Sequence, residues 1–167
     1  MRIYEGSHRQ DWEEVLRSLG SYLDERGMHD IVFVEMDHGF FVQGLLVQSA
    51  TGSAYSESMG SSRRETLELA DDQVAAFLDA AIGRRGQAAE NAANRYEQEL
   101  RVIGRHLDEA KPRDVFFFEI DGAYVMRLAT VGQGGFRYEL LEFTREDIAK
   151  LIASAPNLRR AQTPTGT

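Results

Sequence analysis

The chain carries a diverged second copy of its own pattern, and no other feature limits its fold as tightly. When residues 12–44 are laid over residues 96–128, an offset of 84, eleven positions are identical. They are Glu13/Glu97, Leu16/Leu100, Arg17/Arg101, Gly20/Gly104, the run Leu23-Asp24-Glu25 over Leu107-Asp108-Glu109, Asp30/Asp114, Phe33/Phe117, Glu35/Glu119 and Asp37/Asp121. After a shift in length the match resumes, with Glu68-Leu69 over Glu142-Phe143 and Val74-Ala75 over Ile148-Ala149. Swaps such as Trp12/Tyr96 and Leu19/Ile103 conserve character. A fold that ignores this period is misassigned from the start.

Each copy opens on an amphipathic helix. Trp12, Leu16, Leu19 and Leu23 recur at helical spacing, as do Tyr96, Leu100, Ile103 and Leu107, whose stripe extends back through Ala92 to Ala89. Arg26-Gly27 and Lys111-Pro112 supply the stop signals. Hairpins follow, turning at Asp37-His38-Gly39 and at Asp121-Gly122, a favoured two-residue turn pair. A third strand spans 136–143 in the second copy. In the first copy it falls in 54–59 or 65–70, after the Ser- and Gly-rich stretch 49–62. Closing helices are expected over 71–82 and, capped by Thr144, over 145–155.

The expected fold is therefore α+β: a tandem αβββα repeat, pseudo-twofold, with antiparallel sheets and helices packed mainly on one face. Residues 1–155 form a single domain of two repeats, 11–85 and 88–155, and 156–167 form a disordered tail. Two three-stranded meanders can join edge to edge or pack back to back. The wholly apolar strand face, Val32, Val34, Met36 with Phe116, Phe118, Ile120, is expected beneath the helices. The mixed face, Ile31, Phe33, Glu35 with Val115, Phe117, Glu119, is then left partly uncovered.

Composition excludes several function classes. The 167 residues include no cysteine, so thiolate metal sites, iron–sulfur clusters and cysteine nucleophiles are impossible. Nineteen basic against 27 acidic side chains leave a net charge of −8, which argues against nucleic acid or an anionic membrane as partner. The acidic, soluble character and the lack of a signal-peptide core point to the cytoplasm. The αβββα order is shared with the double-stranded RNA-binding domain. Gly60-Ser61-Ser62-Arg63-Arg64 is followed by a helix opening Asp71-Asp72, the wrong charge for phosphates.

Little catalytic chemistry remains. Gly132-Gln133-Gly134-Gly135 lies between two strands with no lysine and no helix after it, so it is a hairpin loop. His38 beside Glu35 and Asp37 has metal-like composition, but its repeat mate is Gly122, which favours a solvated turn and no metal. Glu35 and Glu119 would need to meet near a pocket to act as a general acid–base pair. No cofactor is expected.

The strand 40–43 after Gly39, the segment Ala54-Tyr55-Ser56-Glu57-Ser58-Met59-Gly60 and the helix entry from Thr66 to Leu78 together resemble the type III secretion chaperone-like fold. Its cytoplasmic relatives include the YbjN-type proteins and the actinobacterial chaperone-like domains. The resemblance covers residues 11–155 and rests on residue types, not invariant residues. It implies a protein that binds partner chains, often as a dimer, through sheet surfaces and edges, and not a catalyst. The expectation is a non-catalytic protein- or peptide-binding module, chaperone-like or regulatory. Its partner is a protein or peptide of unknown identity, and a homodimer is possible. Phe33 and Phe117, rimmed by Glu35 and Glu119, are the expected contact. A small hydrolase-type enzyme using carboxylates (Glu35, Glu119, His38) and a purely structural homodimer are the alternatives.

Overall fold

The computed structural model describes residues 11–47, 62–85 and 95–155. The first half runs α1 (Trp12–Arg26), β1 (Met28–Met36), β2 (Gly39–Val47), β3 (Ser62–Ala70) and α2 (Asp71–Arg85). The second runs α3 (Arg95–Ala110), β4 (Arg113–Ile120), β5 (Ala123–Gly132), β6 (Gly135–Phe143) and α4 (Arg145–Ser154), in the same order. The third strand of the first half thus takes the later of its two candidate positions. The segments 1–10, 48–61, 86–94 and 156–167, with Ala89, Ala92 and the expected tail, lie outside the described residues.

Local chemistry sets the element ends. Asp11 caps α1 by accepting the Glu14 N–H at 2.8 Å, and Gly27 ends it in the left-handed region at φ 65°. Thr144 and Asp147 form a reciprocal capping box at the start of α4. None of the described helices is long and apolar enough to cross a membrane.

The six strands form one antiparallel sheet in the order β3-β2-β1-β4-β5-β6. The two meanders therefore meet edge to edge, with β1 against β4 in the middle, and there are not two separate sheets. At that seam Phe33 lies directly opposite Phe117, and their rings stack with centroids 4.8 Å apart. Trp12 from α1 meets Phe33 edge to face, and Tyr124 does the same to Phe117. Leu16, Leu23, Leu100 and Leu107 of α1 and α3, with Val74 of α2 and Ile148 of α4, complete one continuous core on this side.

The helices thus cover the face expected to be open. Ile31, Phe33, Val115 and Phe117 are buried, whereas Val32, Val34, Phe116 and Phe118 are only partly so and Ile120 is exposed. The hairpin registers give the reason. Phe33 pairs with Val42 and Phe117 with Met126, so each shares its face with further apolar residues. Val32 and Phe116 instead pair with Gln43 and Arg127, polar residues that turn their face toward solvent.

The residues matched between the halves meet one another across the seam. Arg17 bonds Glu97 at 3.2 Å, and Arg101 bonds Glu13 at 3.0 Å. The Asp24 carboxylate accepts the N–H groups of Tyr96 and Glu97 at the start of α3. Asp108 does the same for Trp12 and Glu13 at the start of α1. Each helix end thereby caps the other helix's N-terminus, where orphan donors and the helix dipole favour negative charge. Asp30 and Asp114 both adopt left-handed backbone, at φ 51° and 54°, where the strand registers break.

Candidate functional site

The four residues expected to contact a partner do not form a surface. Phe33 and Phe117 are fully buried under α1 and α3, and Glu119 is buried with them. Nor do the two glutamates form a catalytic pair. Val34 pairs with Phe116 and Val32 with Phe118, so Glu35 and Glu119 stand four residues apart along the seam. At the rise of a strand that is about 13 Å.

Each glutamate fastens the opposite half. A Glu35 carboxylate oxygen accepts the Val115 N–H at 3.1 Å, and Oε1 of Glu119 accepts the Asp30 N–H at 3.2 Å. Both acceptors thus hold the backbone beside the left-handed aspartates. Burial pushes the Glu35 carboxyl up to about 6, partly offset by the bond from Val115. Asp24 is likewise raised to about 6 by burial, against the opposing effect of the two helix N–H groups it accepts. His38 occupies an exposed turn, where its carbonyl accepts the Asp71 N–H. Among the described residues, no group of three histidines or carboxylates is placed to hold a metal ion.

Around Glu119 lies a polar network that sequence reading missed in part. Arg95 donates to Glu119 at 2.8 Å and to Glu99 at 3.1 Å. The Tyr96 hydroxyl donates to Glu119 at 2.9 Å, and the Tyr124 hydroxyl donates to Glu99 at 2.5 Å. Both phenols are pushed up, first by burial and then by the adjacent carboxylates. The network borders an open cleft of about 590 Å³, which His29, Asp30, Arg145 and Ile152 also line. Chemically it is a closed set: each oxygen of Glu99 and Glu119 already accepts a donor. It spans three elements, α3, β4 and β5, so only the tertiary fold assembles it.

A second feature stands on the other side of the sheet. Among the described residues, the exposed large hydrophobics are Ile120, Val131, Phe136, Tyr138 and Leu140, the last 75% exposed. The strand registers place all five on the helix-free face, since Leu140 pairs with Arg127, Tyr138 with Ala129 and Phe136 with Val131. Arg127 lies over the rings of Phe116 and Tyr138 at 5.5 and 6.0 Å, a cation resting on an aromatic platform. Phe41, Val125, Val34 and Phe118 continue the surface toward β2. Polar side chains (Arg64, Thr66, Glu68) take the same face on β3. No family model matches the chain, and neither a curated protein nor a solved structure does.

Proposed function

We propose that the chain is a non-catalytic protein-binding module, chaperone-like or regulatory, whose contact surface is the helix-free face of its sheet. One observation carries this reading: the exposed large hydrophobics among the described residues all stand on that single face. A contiguous apolar surface of this kind costs solubility and marks an interaction site. The chaperone-like part of the reading comes from the αβββα pattern and its resemblance to the secretion-chaperone fold. The acidic balance supports a cytoplasmic setting without nucleic acid or membrane as partner.

The carboxylate-enzyme alternative loses its support at Glu119. A general base needs a free lone pair within reach of a substrate proton. Glu119 instead accepts a backbone N–H, a phenol and a guanidinium, and is nearly inaccessible.

A photoreactive side chain placed at Leu140, in cells that make the protein, tests the reading. Irradiation should yield adducts with a polypeptide, far more abundant than from the same probe at the exposed Lys150 of α4. Equal yields from the two positions, or no adduct at Leu140, would overturn it.

A further inference from the structure

We infer that the chain docked on this face is a second copy of the same protein, giving a four-layer dimer of helices, sheet, sheet and helices. The inference rests on the reading of the sheet face as a docking surface and names its occupant.

Size is the first argument. The apolar surface spans five neighbouring strands, from β2 through β1, β4 and β5 to β6, interrupted by Gln43, Arg127 and Glu142, and ends at the polar β3 edge. Five strands at their usual spacing, nine residues long on average, cover about 700 Å² in plan. Two such faces bury about 1,400 Å² together, within the range of stable specific interfaces. Shape is the second. A bound peptide strand would add to a sheet edge and leave the face open. A broad sheet face is closed by another layer, and two twisted sheets pack face to face about 10 Å apart.

Charge is the third argument. A net charge of −8 opposes self-association over most of the surface. The charges on the open face, however, are Arg64, Arg127 and, opposite Ala129 beyond the β4 irregularity, Arg113, against Glu68 and Glu142, so the face lacks the negative excess of the whole chain. This face lets a like-charged copy approach without a net local penalty. The strand order adds a geometric point. β4 is the middle strand of the apolar five, and a twofold axis along it sets β6 of one copy over β2 of the other. Leu140, in one row with Phe41 across the sheet, would then meet Phe41 of the other copy, while β3 with its charges overhangs into water.

The test is the solution mass of the intact protein by light scattering and sedimentation, at tens of micromolar. Wild type should weigh twice the chain mass of 18.8 kDa. The double variant Phe136→Asp, Leu140→Asp alters only exposed side chains on the edge strand. It should weigh a single chain, with an unchanged circular dichroism spectrum and dimer dissociation at least about 100-fold easier. A monomeric wild type overturns the inference, as does a dimer that persists in the double variant. The two readings fail separately. A monomer whose Leu140 probe still captures a different polypeptide leaves the docking surface standing and removes only the second copy. A monomer with no adduct removes both.

Discussion

Gly20 and Gly104 show how single residues set the distance between α1 and α3. A Cβ built on Gly20 would sit 2.3 Å from the Tyr96 carbonyl oxygen, and one on Gly104 would sit 2.5 Å from that of Trp12. Both obstacles are backbone and have no rotamer with which to yield. Gly20→Ala should therefore destabilise the protein by about 3 kcal/mol despite alanine's better helix propensity, as read from urea unfolding. A neutral or stabilising result would mean the helices can part without loss. Glu35 belongs to the same scale. Its folded pKa is raised above the unfolded value, so the native state binds the proton more tightly. Its contribution is most favourable below the unfolded pKa near 4.5 and fades as pH rises through about 6. Glu35→Gln keeps an acceptor for the Val115 N–H. It should raise the thermal midpoint at pH 7.5, by the equivalent of about 1–2 kcal/mol, and leave it nearly unchanged at pH 4.5. Equal shifts at both pH values would remove burial of the charge as the cause.

Between elements, the decisive contacts are the crossed pairs Arg17–Glu97 and Arg101–Glu13, which are mostly shielded from water. Breaking one partner leaves a partly desolvated charge, so Arg17→Ala and Glu97→Ala should each cost more than a surface pair does. Their double-mutant cycle should return a coupling of about 1 kcal/mol or more, and additivity within error would show the pair to be idle. These elements were largely legible in the sequence. The helical stripes, the Asp-Gly turn and the Thr144 cap located α1, α3, the second hairpin and α4, because each signal is local. Which strand face meets the helices was not legible along one strand. Val32 and Val34 look more core-like than Phe33 and Glu35 when read alone. Pairing β1 with β2 through their tight turn puts Gln43 beside Val32 and Val42 beside Phe33, and so reverses the assignment. Glu119 misled for a related reason: an acid on a strand looks solvated until Tyr96, Arg95 and the Asp30 N–H arrive from elsewhere in the chain.

For the molecule as a whole, one core and one sheet imply one unfolding transition. The chain's single tryptophan, Trp12, reports on this well, because it packs on Phe33 while its backbone sits against Gly104 of the other half. Its fluorescence and the far-ultraviolet circular dichroism should trace coincident urea curves, and two separated midpoints would show the halves to be independent domains. Phe117→Ala should cost about 3–5 kcal/mol by opening the centre of the core. The Leu140→Asp change should stay within about 0.5 kcal/mol in the monomer. The α+β architecture was readable from the order of elements. The union of the two meanders into one sheet was not, since no local signal says which edge β1 will seek.

The seam between β1 and β4 also bears on how the chain is made. β1 is synthesised first, and its pairing partner follows about 84 residues later in sequence. At ordinary elongation rates that is an interval of roughly 4–17 s. Throughout it the emerging first half has an unpaired strand edge and a Phe33 ring without the Phe117 stack that later covers it. An edge of that kind readily pairs with the wrong neighbour, above all with the same strand on the next chain of a polysome. For this protein the period of greatest exposure to misassembly falls on the ribosome, before the second half exists to close the sheet.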